Sequence, residues 1–221
     1  MYTLYVNESG GKRMNIFKFL YRKLVLKYRP YYSHLDYFQN LSDQITIDYL
    51  ISNLSYSSNY FETNQNIQIN GINFNSRLCE IIDKKKKPSY KTQHKNIKEL
   101  ATLFYRKKID GHKATMMLVL FESKLIFASY IFDHITRNKL ENILDVISVK
   151  YLNEIKTISS SSFICDTFGN KIQYVEGIDS RINFASGDRE VFHKLGELKH
   201  AETMAAINNA KLAYSNLINT F

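Results

Sequence analysis

Alternation of apolar and polar residues on either side of an Asn-Gly pair is the clearest local pattern in the chain. Ile67 and Ile69 alternate with polar residues before Asn70-Gly71, and Ile72 resumes the alternation after it. Both residues of a two-residue hairpin turn need a positive φ, which Asn and Gly adopt readily. The pattern therefore predicts a β-hairpin at this point.

Apolar residues at helical spacing predict helices in the first part of the chain. Residues 15–29 carry an apolar stripe among basic residues, which indicates a basic amphipathic helix ended by Pro30. Such a helix can lie on an anionic membrane, enter a groove of a partner or pack on its own core. A second helix is predicted over 43–56 with Ser42 as its N-cap, and residues 55–66 are predicted to be a polar loop.

Nearly continuous apolar runs in the middle of the chain predict an antiparallel meander. The three strands are expected over 100–105, 115–121 and 124–132, with Asp110-Gly111 as the first turn. Strands without polar alternation are typical of sheets covered on both faces, so at least one of these strands is expected to be central. Further strands are predicted over 163–165, over 171–176 after a turn at Gly169-Asn170, and over 181–185.

Three more helices complete the predicted elements. A short helix after Ser76, its expected cap, holds a run of four lysines in its last turn and ends at Pro88. A longer helix is predicted over 138–153 and a final one over 188–221. The order of elements predicts an α+β fold, with an antiparallel β-sheet (hairpin plus meander) packed by helices, N-terminal helices and a long C-terminal helix. The expected segments are a polar extension (1–13), a helical segment (14–60), an α+β core (61–187) and a C-terminal helical segment (188–221).

Composition and cysteine use indicate a globular cytoplasmic protein. The chain has 221 residues, 44% of them hydrophobic and 14% aromatic, which is enough for a sizeable core. No membrane span and no export signal are expected from the sequence. Cys79 and Cys165 have no neighbouring cysteine, so two free thiols in a reducing cytosol are expected.

The positive charge is concentrated in the first half of the chain. Residues 1–113 hold 19 Lys plus Arg against 9 Asp plus Glu, a net +10, and residues 114–221 hold 11 against 12, a net −1. The basic region contains Tyr90 and Tyr105 among its cations, a combination that single-strand binders use. Its candidate contacts with nucleic acid or another anion are Lys84, Lys85, Lys86, Lys87, Lys91, Lys95, Arg106, Lys107 and Lys108. The alternative is that these lysines serve solubility and the helix dipole.

One constellation of acidic residues resembles the motif of restriction-type nucleases. Asp110 followed by Glu122-Ser123-Lys124 has the residue types with which those enzymes hold Mg²⁺ and activate water. The strand predicted between the two carboxylates would separate them by roughly 30 Å, so they are expected to be turn residues. No catalytic residue, metal site or cofactor is therefore assigned.

The segment over residues 66–132 resembles a known superfamily. Its positions that match the motif are Gly71, Ser76, Glu80, Ile81, Ile82 and Pro88. In these positions, and in the strand, turn, short helix and meander that surround them, the segment is similar to the SmpA/OmlA-type lipoprotein and β-lactamase-inhibitor-protein superfamily. The resemblance implies a non-enzymatic α+β module that binds another protein across its sheet.

The predicted last helix carries an apolar stripe that can dock on the domain or pair with another copy. The stripe consists of Ile207, Ala210, Tyr214, Leu217, Ile218 and Phe221, of which Tyr214, Leu217, Ile218 and Phe221 are the candidate partner-binding residues. The expected function is a non-enzymatic protein-binding module: an inhibitor, immunity-type protein, adaptor or assembly component. The alternatives are a nucleic-acid-associated protein that uses the basic half and, from another class, a metal-dependent phosphodiesterase.

Overall fold

The structure, a computed structural model, describes residues 34–44, 46–52, 59–94, 97–177 and 179–218. The chain divides into two compact units, Met1–Asn40 and Leu41–Phe221, and nearly all described elements belong to the second. The extension predicted over 1–13 and the basic helix predicted over 15–29 lie outside the described residues. No helix within the described ranges is long and apolar enough to span a membrane.

The described elements are five helices and eight strands. In chain order they are α1 (His34–Gln44), α2 (Ile47–Ser52), β1 (Tyr60–Thr63), α3 (Leu78–Lys85), β2 (Tyr90–Gln93), β3 (Leu100–Ile109), β4 (His112–Phe121), β5 (Lys124–Asp133), α4 (Arg137–Leu152), β6 (Phe163–Asp166), β7 (Lys171–Val175), β8 (Asp179–Ala185) and α5 (Arg189–Ile218). This arrangement confirms the predicted α+β class with a long C-terminal helix.

All eight strands form one sheet in the order β1-β6-β7-β8-β5-β4-β3-β2. Every neighbouring pair is antiparallel except β1 and β6, which are parallel, so the sheet is mixed rather than purely antiparallel. The loop predicted over 55–66 was wrong in part, because residues 60–63 form edge strand β1. Edge strand β2 was not predicted either, since its sequence YKTQ is mostly polar.

The predicted meander is confirmed in β3, β4 and β5. Asp110 and Gly111 turn the chain between β3 and β4 with positive φ, and Glu122 and Ser123 do the same between β4 and β5. Every residue of β4 from 114 to 121 is buried, which identifies it as a strand covered on both faces.

One face of the sheet, here called the α4 face, is covered by α4. Leu140, Ile143, Leu144 and Tyr151 of α4 are buried in a cluster with side chains of the strands, including Phe132. These positions follow the i, i+3, i+4 spacing of a single helix side. The helix ends at Asn153, which adopts the left-handed conformation that closes many helices.

The opposite face, here called the α5 face, packs against α2 and the first part of α5. The ring of Tyr49 in α2 meets Phe127 of β5 edge-on at 6.0 Å between centroids. Lys199 of α5 forms an ion pair with Asp48 of α2, and Phe192 and Leu195 of α5 are buried. The sheet is therefore the middle of three layers.

Three local predictions need correction. Ser42 lies inside α1 and does not cap the helix predicted over 43–56; the described part of that span is the end of α1 followed by α2, and residues 45 and 53–56 lie outside the description. Asn70-Gly71 makes the predicted turn, but only Ile69 and Ile72 pair beside it. Helix α3 is preceded by Arg77 without a side-chain cap bond, so the cap expected at Ser76 is absent.

Candidate functional site

A cavity of about 740 Å³ lies between α4 and the sheet. Its roof is one side of α4 and its floor is the α4 face of β5 and β8, while the Asn70 turn and the Asp110 turn form part of its wall. The lining residues are Gln68, Asn70, Ile109, Asp110, Tyr130, Phe132, Asn142, Ile143, Val146, Ile147, Lys150, Tyr151, Ile182 and Phe184. Most of these side chains are apolar or aromatic, and the polar or charged ones come from the Asn70 and Asp110 turns and from α4.

Tyr130 of β5 is a polar residue in the floor of this cavity. Its ring packs edge-on against Phe184 at 5.9 Å, and its hydroxyl makes no hydrogen bond with any described residue. Burial, and then the nearby Tyr151, raise the pKa of Tyr130 to about 12. The hydroxyl therefore stays protonated over the physiological range and can donate a hydrogen bond.

Tyr151 fixes the end of α4 against the Asn70 turn. Its hydroxyl donates to the carbonyl oxygen of Gln68 at 3.0 Å, and the hydroxyl of Thr63 donates to its backbone carbonyl. The Nζ atom of Lys150 lies 4.7 Å from the centre of the Tyr151 ring, within range of a cation–π contact. Lys150 is thus held beside the cavity that it lines.

Two lysines of the run, Lys84 and Lys85, are bonded to the turn at Asn70 and Gly71, of which Asn70 lines the cavity. Lys85 donates to the carbonyl oxygen of Asn70, and Lys84 donates to that of Gly71 at 3.3 Å. Burial lowers the pKa of Lys85, and the charges of Lys107 and Lys84 lower it further. Three of the predicted anion contacts, Lys84, Lys85 and Lys107, are therefore close together.

The other basic candidates are distributed around this group. Lys86 follows the end of α3, Lys87 is exposed, and Lys91 lies on β2 opposite Leu103. Arg106 and Lys108 lie on β3, where Lys108 pairs directly with Lys113 of β4. Lys95 lies outside the described residues.

The aromatic residues of the basic region are used in packing. The ring of Tyr90 lies 6.1 Å from that of Phe104, and Tyr105 is 4% exposed, with its hydroxyl near the carbonyl oxygen of Lys86 at 3.4 Å. Tyr105 in particular cannot offer an open ring face for a nucleic-acid base. Of the two aromatic residues predicted among the cations, Tyr105 is therefore closed to stacking, while Tyr90 is partly exposed.

The second half of α5 is exposed on all sides. From residue 201 to residue 216 only Glu202 is partly buried, and Met204, Ile207, Leu212 and Tyr214 expose between 42% and 67% of their surface. Tyr214, one of the predicted partner-binding residues, is therefore exposed to solvent. Leu217 and Ile218 belong to α5 but their side chains, like the whole of Phe221, lie outside the description.

The nuclease-like residues do not meet. Asp110 and Glu122 lie in the turns at opposite ends of β4, both with positive φ, as their interpretation as turn residues requires. Glu122 instead approaches Lys194 of α5 at 3.8 Å. Within the described ranges, no group of three or more His, Cys, Asp or Glu side chains could hold a metal ion.

A buried carboxylate and a neighbouring side-chain amide together join three separate segments of the chain. Asp166 accepts hydrogen bonds from the backbone N–H groups of Ile67, Phe168 and Asn170, each at 2.9 Å, and from the side-chain amide of Asn170 at 2.8 Å. The amide oxygen of Asn170 accepts the N–H of Gly187. Sequence reasoning missed this network and the role of Tyr130 in the cavity, because both depend on contacts between distant segments.

Comparison with family models, with curated proteins and with solved structures gave no match for this chain. The resemblance to the lipoprotein and inhibitor superfamily therefore stays a prediction that rests on the residues quoted for it.

Proposed function

We propose that the chain is a non-enzymatic protein-binding module and that the second half of α5 is its contact surface. The observation that supports this proposal is the exposure of apolar side chains along residues 201–216, beyond the buried Phe192 and Leu195. Helices in proteins take most of their stability from packing an apolar side. A segment whose apolar side chains are exposed, and which packs on no other described part of the fold, is suited to packing on another chain.

The partner that we propose is a second copy of this chain. Ile207, Ala210, Tyr214, Leu217 and Phe221 follow each other in steps of three and four residues, which is the spacing of a coiled-coil seam. Two identical helices with this spacing can pack on each other along the same seam. The proposed module thus assembles with itself, and its first partner is a helix of the same sequence.

The charge distribution also favours self-association through this helix. Residues 201–218 contain one acidic residue, Glu202, and one basic residue, Lys211, so the segment is neutral. The whole chain carries +9, and two copies that met through the basic half would repel each other. A contact through α5 brings together the surfaces that repel least.

Light scattering after size-exclusion chromatography tests this proposal on the full chain. The expected result is twice the monomer mass for the unchanged chain, and the monomer mass for Ile207→Glu, because a charge in the seam would have to be buried. Asn209→Glu is the matched control: it adds the same charge on the other side of α5 and is expected to leave the dimer intact.

A monomeric unchanged chain would contradict pairing with a second copy. Equal dissociation of the two variants would also contradict it, because net charge rather than the seam would then govern assembly. Circular dichroism of each variant establishes that α5 is still formed.

A second candidate function, association with nucleic acid, is favoured by one observation. Burial lowers the pKa of Lys85, and the nearby charges of Lys107 and Lys84 lower it further, so positive charge is concentrated at this end of the sheet. The contact would be to phosphate, since Tyr105 is buried.

We also propose a reducing compartment, the cytoplasm, because Cys79 and Cys165 are both free thiols.

A further inference from the structure

The space between α4 and the sheet has the size of a small-molecule site. Its volume of about 740 Å³ falls within the range of roughly 300 to 1,000 Å³ that is typical of ligand pockets. At its edge Val146 is 67% exposed, so the space is open to solvent beside α4. A ligand can therefore enter without unfolding the protein.

The lining favours a ligand with an apolar body. Ile143 and Ile147 of α4 face the space from above, and Phe132 and Phe184 face it from the sheet. Apolar surface buried between these layers is the main source of binding free energy in such sites.

Tyr130 provides the polar group that such sites use to orient a ligand. Its hydroxyl lines the cavity and has no partner among the described residues, whereas the hydroxyl of Tyr151 is bonded to Gln68. A hydroxyl that reaches solvent and has no protein partner can exchange its hydrogen bond with water for one with a ligand. The Tyr130 hydroxyl is thus available to donate a hydrogen bond to a ligand oxygen.

The charges around the cavity favour an anion. Lys150 lines the space, and Lys84 and Lys85 are bonded to the carbonyl groups of the Asn70–Gly71 turn in its wall. Lys107 is near Lys85, and Asp110 is the acidic residue of the lining. Positive charge therefore exceeds negative charge at this rim.

We propose that this cavity binds a small amphipathic anion, with its apolar body between α4 and the sheet and its anionic group at the rim near Lys150. The ligand class is an aliphatic or aromatic molecule that carries a carboxylate, sulfonate or phosphate. Among the residues that the structure describes, none of α5 lines the cavity. This site is therefore independent of the dimer proposed above, and either proposal can fail without the other.

The probe is 8-anilinonaphthalene-1-sulfonate, an amphipathic anion whose fluorescence rises in apolar surroundings. We expect the full chain to bind one molecule per protomer, and dodecanoate or dodecyl phosphate to displace it. Dodecanol, which has the same chain without the charge, should need a concentration about tenfold higher, because a charge-assisted hydrogen bond at the rim is missing. The ratio between dodecanoate and dodecyl phosphate identifies which anionic group the rim prefers.

Matched variants locate the site. Ile147→Trp places a large ring in the cavity and should reduce dye binding at least about tenfold, whereas Val149→Trp changes an exposed position of the same helix that does not line the cavity. Lys150→Gln should remove most of the preference for dodecanoate over dodecanol. Its control, Lys139→Gln, removes the same charge from a position of α4 outside the cavity and should leave that preference unchanged.

Two outcomes would overturn the proposal. Equal displacement by dodecanol and dodecanoate would exclude recognition of an anion. Dye binding that is unchanged by Ile147→Trp, or that is lost in Ile207→Glu, would place the dye elsewhere on the molecule. If circular dichroism shows that Ile147→Trp does not fold, the comparison of Lys150→Gln with Lys139→Gln decides the question.

Discussion

Gly187 occupies a position in which no other residue fits. A Cβ atom at this position would lie 2.2 Å from the carbonyl oxygen of Phe168 and 2.5 Å from the carbonyl carbon of Gly169. These are backbone atoms, and the turn to which they belong is fixed by Asp166. The contact joins the β6–β7 turn to the segment that leads into α5.

We predict that Gly187→Ala destabilises the protein by at least about 2 kcal/mol, because either the turn or the segment at 187 must move to admit the methyl group. Gly177→Ala is the matched control, since a Cβ there would make an ordinary contact of 3.5 Å with Asp179. Urea denaturation of both variants measures the difference. Similar midpoints would show that the 187 segment is free to move.

Sequence reasoning identified turn residues but not their long-range partners. Gly169-Asn170 was predicted to separate two strands, and it does so. Asp166 also accepts the N–H of Ile67, and Asn170 accepts that of Gly187. Both bonds join segments that are far apart in the chain. Local propensity contains no information about such contacts, so Asp166 looked like an ordinary polar residue at a strand end.

At the scale of elements, the β3–β4 hairpin contains an unfavourable pair. Lys108 and Lys113 are direct cross-strand neighbours, and both are exposed. Like charges placed opposite each other on a sheet are destabilising. The hairpin is held by its buried half, in which Leu103 pairs with Leu118.

Lys113→Glu is expected to stabilise the protein by a few tenths of a kcal/mol, because it replaces repulsion with attraction across the ladder. Lys113→Gln should give a smaller gain, since it removes the repulsion alone. Thermal unfolding at low and high salt provides the measurement, and the gain from Glu should shrink as salt screens the pair. A gain that is independent of salt would contradict this electrostatic explanation.

The elements with strong periodicity were predicted well, and the polar edge strands were not. The predicted helix over 138–153 corresponds to α4 (Arg137–Leu152), since its apolar residues recur on one side. Strand β1 exposes Tyr60 and Glu62 and pairs with a single neighbour, so its sequence needs no apolar pattern. An edge strand forms because a neighbouring strand offers it hydrogen bonds, and the local sequence does not show which strand that neighbour is.

At the scale of the whole molecule, the uneven charge predicts how nucleic acid would bind. The first half carries +10, and the described cations include Lys107 and Lys108 at the end of β3. A contact made by these cations would release counterions from phosphates.

Affinity for a mixed-sequence oligonucleotide is therefore expected to fall steeply between about 50 and 200 mM salt. The double change Lys107→Gln and Lys108→Gln should lower the slope of log affinity against log salt by about 1 to 2. Lys211→Gln, in the neutral segment of α5, should leave that slope unchanged. Fluorescence anisotropy measures both, and an affinity insensitive to salt would remove this candidate function.

The fold class could be predicted from the order of elements in the sequence, whereas the cavity between α4 and the sheet could not. The meander and α4 were both expected, but the cavity between them is lined by residues from segments far apart in the chain, such as Gln68, Tyr130 and Ile182. Likewise, the lysine run was expected at the end of a helix, and its bonds to the Asn70–Gly71 carbonyls required the hairpin to fold back beside it.

The parallel pairing of β1 with β6 has a consequence for biosynthesis. Tyr60 leaves the ribosome long before Phe163, its partner in the sheet, has been made. Contacts between positions so far apart form slowly, because the loop between them must first close. During translation β1 is therefore an unpaired strand, and the nascent chain can complete its sheet only after the meander, α4 and β6 have emerged.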